Sequence, residues 1–252
     1  MLRRSLALIG LVLLLGSVWS CSGEDGAAGT AGPAGNDAAP NPISIMILGS
    51  DNQGSLDQLV LALFGDGGVN INTQIDTRTV DTSAPLLSDL TPYDVVVCYT
   101  QVDPATPLAI GDVLANYVDG GGKVLLLQGV FSNGFQLEGR IMTVGYSPFS
   151  AGPGAGSAVD RIFDPNSIAV PPHEIFYNLS ISSFVFPTNA SLSAPATQGT
   201  TTVLARYFNG HNAIALNANG TVIGLNVFPQ NNNPEVMRLV GNACHVLTDA
   251  WN

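Results

Sequence analysis

Two short, wholly apolar runs flank a single amphipathic helix, and this arrangement restricts the chain more than any other feature. The first run, Val95-Val96-Val97-Cys98-Tyr99, is entered through Tyr93-Asp94; the second is Val124-Leu125-Leu126-Leu127. A strand with no polar face is buried on both sides, as happens inside a parallel sheet covered by helices. Between the runs, Thr106-Pro107 marks a helix start, with proline in the first turn where no backbone donor is missed. Ile110, Val113, Leu114, Tyr117 and Val118 recur at helical spacing, and Gly120-Gly121-Gly122 stops the helix before Lys123. The spacing therefore predicts a βαβ crossover.

The same logic extends in both directions. Ile43 to Leu48 predicts a first strand, ending in the polar turn Gly49 to Gly54. Ser55, with Gln58 three residues on, has the pattern of a capping box. Leu56, Leu59, Val60, Leu63 and Phe64 give one helical face, stopped by Gly65 to Gly68. Val69 to Ile75 alternates apolar and polar, which predicts a strand near a sheet edge. Thr82 to Pro92 is a connector with a short helical piece around Leu86-Leu87.

From Phe131 to about Thr200 the pattern loosens into Gly, Ser, Ala and Pro, with Pro171-Pro172 forbidding regular structure locally. Regularity returns in the runs Val203–Phe208, Ala213–Leu216 and Val222–Phe228. Asn209-Gly210 and Asn219-Gly220 separate them and predict hairpins with type I′ turns; the last run is expected to rejoin the main sheet. Pro234-Glu235 opens a final helix striped by Val236, Leu239, Val240, Ala243 and Leu247. The fold predicted is α/β: a three-layer, flavodoxin-like, doubly wound and mostly parallel sheet with β-hairpins near the C-terminus.

The first forty residues are of another kind. Arg3 and Arg4 precede the apolar stretch Leu6–Val18, followed by Val18-Trp19-Ser20-Cys21. This is an export signal over residues 1–20, with an apolar run shorter than the ~20 residues a bilayer span needs. The small residue before a lone cysteine resembles the lipobox of bacterial lipoproteins. That resemblance implies cleavage before Cys21, lipid such as palmitate on Cys21, and anchoring in the cell envelope. Ser22 stands where the family's inner-membrane retention aspartate would be, which favours the outer membrane of a Gram-negative cell.

Glycine then recurs at every third place from Gly23 to Gly35, a collagen-like period too short to hold a triple helix. Residues 21–42 read as a flexible tether and 43–252 as one α/β domain.

The whole chain carries 8 Lys+Arg against 19 Asp+Glu, a formal charge of −11. Without the signal, six basic residues remain, near −13, and the lone lysine is Lys123. Such a field disfavours nucleic acid and anionic headgroups. The expected partners are the membrane through the lipid, and a small polar ligand, glycan or envelope protein. No cofactor is indicated: Gly120-Gly121-Gly122-Lys123 lacks the spacing and the Ser/Thr of a phosphate loop. His173, His211 and His245 have no metal spacing, and Asp51, Asn52, Asp164 and Asn166 read as loop side chains before calcium ligands.

Tyr93-Asp94-Val95-Val96-Val97 and Tyr117-Val118-Asp119-Gly120-Gly121-Gly122-Lys123-Val124 resemble the class I glutamine amidotransferase-like superfamily. The likeness is nearer to its trehalose-utilisation-type branch. Ala205 to Gly210, Gly224 to Pro229 and the last helix are similar to that branch too. The resemblance spans Ile43 to Leu247 on soft motifs.

Catalytic members carry a Gly-x-Cys elbow and a His-Pro-Glu. Aligned here, these fall on Gly129-Val130-Phe131 and Phe228-Pro229-Gln230. Cysteine hydrolysis needs a thiolate, a base and a group that holds the base. Phe131, Phe228 and Gln230 supply none of these, so the resemblance implies an inactive domain.

The alternatives left open are a sugar or ester hydrolase using Ser132 with His173, and a purely structural envelope module. Ligands of open α/β sheets sit outside the carboxyl ends of the strands. The candidate binding residues there are Asp51, Asn52, Gln101, Asp103, Gln128, Ser132 and Asn133, an amide-rich rim suited to a polyol or sugar. Cys98 reads as a buried apolar residue, with pairing to Cys244 as the alternative in an oxidising envelope.

Overall fold

In the computed structural model, which describes residues 41–250 except 71, 133, 153–160, 170–171, 181–184, 187–194 and 230–232, the two apolar runs lie side by side. They form strands β3 (Val95–Thr100) and β4 (Lys123–Leu126), paired in parallel with Val95 opposite Lys123 and Cys98 opposite Leu126. Helix α3 (Pro107–Asp119) makes the crossover. Strand β1 (Ser44–Ser50) pairs in parallel with β3 and with β2 (Gln74–Thr79).

Beyond β4 the sheet continues with β9 (Val222–Leu225), parallel to β4. Strands β8 (Asn212–Asn217) and β7 (Thr201–Arg206) follow as antiparallel neighbours. The seven-stranded order is β2-β1-β3-β4-β9-β8-β7. Strands β5 (Arg161–Ile162) and β6 (Val185–Phe186) pair separately and antiparallel. The fold is a three-layer α/β arrangement of flavodoxin-like type, with the added hairpins at the C-terminal side of the sheet.

Alternation along each strand divides the core in two. Ile45, Ile47, Val95, Val97, Leu125 and Leu127 face α1 (Gln53–Gly65) and α4 (Pro234–Thr248). Met46, Leu48, Val96, Cys98, Val124 and Leu126 face α3 and the short α2 (Leu87–Leu90). All six β3 side chains are buried, Val95 to Tyr99 as their apolar character requires and Thr100 as a polar exception at the strand end. Each fully buried Leu, Val or Ile contributes roughly 2 kcal/mol, so the two faces together dominate the stability.

Three local expectations are corrected. Helix α1 begins at Gln53 rather than Ser55: Asn52 is its cap, accepting from the Ser55 N–H at 3.0 Å, so Ser55 lies inside the first turn. The strand expected over Val69–Ile75 is displaced to Gln74–Thr79. Polar tertiary partners hold this edge: Arg78 pairs with Asp89 at 2.6 Å, and Tyr93 donates to Asp76 at 2.7 Å. Both hairpins form, but not through type I′ turns. Within the two turns only Gly210 and Gly220 take positive φ (81° and 67°), and their N–H groups close turns onto the carbonyls of Tyr207 and Asn217. This is a type I turn followed by a left-handed glycine, which leaves the asparagines in ordinary backbone conformations.

Candidate functional site

The winding of the sheet reverses between β1 and β3, where ligands of such sheets bind. Here the chain folds across that point. The N–H groups of Gln101 and Val102 both donate to the Ser50 carbonyl (3.1 and 3.2 Å), and Ser50 Oγ donates to Val102 O at 2.5 Å. Ser50 is completely buried as a result.

One strand along, the turn after β4 lies against the end of β3. Gly129 has φ +96°, and a Cβ there would sit 1.7 Å from the Thr100 carbonyl oxygen. Thr100 Oγ1, beside this contact, and Gln128 Oε1 are buried with no hydrogen-bond partner among the described residues. A buried acceptor left in this state costs about 1–3 kcal/mol, so a donor reaching it is strongly favoured. At the lip, Tyr99 donates to Asp51 Oδ2 at 3.3 Å, and its ring meets Phe228 edge-on with centroids 6.0 Å apart. Desolvation, reinforced by the Asp51 carboxylate, raises the Tyr99 phenol well above its ordinary value, so it stays a donor.

The expected rim residues are distributed unevenly. Asn52, Gln101 and Asp103 are exposed and Asp51 is half-buried. Asn52 is already engaged, as the α1 cap and as a donor to Asp51 Oδ1. Gln128 and Ser132 are buried rather than on the rim. Asn133 lies outside the described residues. Sequence reasoning placed Thr100 at the strand end but passed over Tyr99, which stood there only as the last residue of an apolar run.

The positions onto which the catalytic motifs were aligned are placed as follows. Phe131 is fully buried, edge-on to Phe149 at 5.3 Å. Phe228 is half-buried against Tyr99; Gln230 lies outside the described residues. The chain after β4 does not enter a helix. It turns back on itself, with Ser132 N–H on Gly129 O at 2.8 Å and Leu137 N–H on Val130 O at 3.1 Å. A nucleophile elbow presents its residue on a strand-to-helix turn, with amide donors behind it. Here the positive φ beside the strand end falls on Gly129, which has no room for a side chain.

The Ser132–His173 alternative is not assembled. Ser132 bridges to Gly152 beside Phe131, in the α3-facing core. His173 caps the 3-10 turn Glu174–Phe176 by accepting the Ile175 N–H on Nδ1 at 3.2 Å. That turn packs in the opposite core, pinned by Asn242 Nδ2 donating to the carbonyls of Ile175 and Tyr177 (3.1 and 2.8 Å). No hydrogen bond joins the two side chains, and desolvation lowers the His173 pKa against a smaller opposing effect of Glu174.

The Cys98–Cys244 pairing is also corrected. Both thiols are free and buried, one in each core, on opposite faces of the sheet. Burial pushes each up to about 12, so both remain protonated and inert. Cys21 lies outside the described residues. Among the described residues no group of three His, Cys, Asp or Glu is placed to hold a metal, and no helix is long and apolar enough to cross a membrane.

No protein-family profile matches this chain, and no curated protein matches its sequence. Its fold is similar to solved structures. One, from Bacteroides uniformis and described as ThuA-like, aligns with TM-score 0.52 at 17% identity, over 86% of this chain and 95% of that one. Another, from Thermoplasma acidophilum and described as a GMP synthase component, aligns with TM-score 0.52 at 10% identity, over 83% and 96%. At these identities the likeness is one of fold: ThuA-like and amidotransferase-like.

Proposed function

We propose that this chain is a lipid-anchored envelope protein whose amidotransferase-like domain is catalytically silent and binds a small polar molecule, a glycan or a partner protein at the strand-end rim. The observation that carries the silent reading is the turn after β4. Gly129 occupies the strained position without space for a side chain, and Phe131 is packed into the core behind it. A cysteine mechanism has no place there for either its thiolate or its oxyanion donors.

The binding reading is supported by Asp51 at the lip of the rim and by the Thr100 hydroxyl and Gln128 Oε1, buried polar atoms with no hydrogen-bond partner among the described residues. A carboxylate, a hydroxyl and an amide oxygen, with no cationic side chain among these three, favour a hydroxyl-bearing ligand over an anionic one. Lipid attachment at Cys21 rests on the resemblance of the leader to lipoprotein signals.

The test is a panel of glutaminase, amidase, esterase and glycosidase assays on the full chain, with Ser132→Ala and His173→Ala beside it, and polyol binding by calorimetry. No turnover, with polyol binding weakened by Asp51→Asn, is expected. Turnover lost in either alanine variant would overturn the silent reading. Labelled palmitate incorporation abolished by Cys21→Ser checks the anchor.

A further inference from the structure

The opposite end of the sheet holds a second candidate site, independent of the reading above. A cleft of about 480 Å³ opens where β3 and β4 begin, between the C-terminal ends of α3 and α4. Tyr93, Asp94, Lys123, Leu247 and Asp249 line it, with Leu87 at its margin. Its floor is fixed by Tyr117, whose hydroxyl donates to the Tyr93 carbonyl at 2.7 Å and accepts from the Lys123 backbone.

The charges of this cleft are unusual because they do not satisfy one another. Among the described residues the ion pairs are Arg78–Asp89 and Arg140–Asp119; Lys123 makes none, although two carboxylates share its cleft. Asp94 is committed elsewhere, its Oδ2 accepting from both the N–H and the hydroxyl of Ser44 at 2.7 Å. Asp249 is exposed at the left-handed end of α4, and no donor among the described residues bonds its carboxylate. It stands where the last carbonyls of α4 already favour positive charge.

We propose that this cleft binds a small zwitterion, a free α-amino acid with an apolar side chain. The carboxylate of such a ligand pairs with Lys123. Its ammonium lies toward Asp249 and the α4 carbonyls, and its side chain rests on Leu87 and Leu247. A simple anion is repelled by two carboxylates and two helix C-termini, and a simple cation leaves the Lys123 ammonium without a partner; a molecule carrying both charges answers both.

Calorimetry on the full chain with glycine, L-alanine and L-leucine, and with acetate and ethylammonium as half-ligands, tests this. Saturable leucine binding below about 1 mM is expected, weakened at least about tenfold by Lys123→Gln and by Asp249→Asn, with both variants melting as the parent does. The half-ligands should not bind. The proposal fails if no amino acid binds saturably, if either half-ligand binds as well as leucine, or if leucine binding survives both substitutions.

Discussion

Gly129 lies directly on the end of β3: a Cβ at this position would be 1.7 Å from the Thr100 carbonyl oxygen and 2.6 Å from Thr100 Oγ1. The contact is backbone against backbone, so no rotamer change relieves it. Gly129→Ala is expected to destabilise the domain by about 3 kcal/mol or more, through both the clash and the positive φ. Urea unfolding checks it; a midpoint equal to the parent's would show that the turn can rearrange.

Restoring a thiol at the aligned nucleophile position should not restore chemistry. In Phe131→Cys the sulfur would sit where an aromatic ring now packs against Phe149. It should stay a protonated, unreactive thiol, as Cys98 does in the same core. The lost ring should cost about 3 kcal/mol. Glutaminase activity and alkylation of residue 131 in the native state are the readouts; either one appearing contradicts the burial argument.

Cys98 and Cys244 should be silent towards a disulfide reagent while the domain is folded and react together when it unfolds. The melting temperature should be unchanged by reductant, because no bond between them exists to be broken. A reductant-dependent melting temperature would count against the two-core placement.

Acid should weaken the fold through His245, which burial holds down to about 4 against an unfolded value near 6.5. The unfolded chain therefore binds the extra proton between these values. Stability is full above about pH 6.5, falls as the pH drops, and levels off below about 4, with a loss of at most about 3 kcal/mol. His173, also lowered by burial, adds in the same direction. His245→Gln should flatten the profile by up to one proton's slope in chemical denaturation run at several pH values.

The second hairpin depends on one side chain. Asn217 Oδ1 accepts from the N–H groups of Thr221 and Val222 (2.9 and 3.0 Å), while Nδ2 donates to Gly145 O at 3.2 Å. Asn217→Ala leaves these backbone groups unpaired in a buried place and should cost about 2 kcal/mol. Asn217→Asp keeps the acceptor but sets a second carboxylate oxygen against the Gly145 carbonyl, and should recover only part of it.

The apolar runs at Val95 and Val124, the stripe of α3 and the stripe of α4 determined the layers by themselves. A segment apolar on every side has to be internal, and one with a helical stripe has to cover it. The pattern did not reveal the start of α1, the place of β2 or the turn type of the hairpins. There polar groups with several nearly equal local options were decided by partners distant in sequence, such as Asp89 for Arg78 and Gly145 for Asn217. The cleft at the opposite end of the sheet was hidden for the same reason. Lys123 and Asp249 come to line it only when a strand start and a helix end far apart along the chain converge. Burial, which decides whether a hydroxyl or an ammonium keeps a partner, is a property of that convergence and not of the residue.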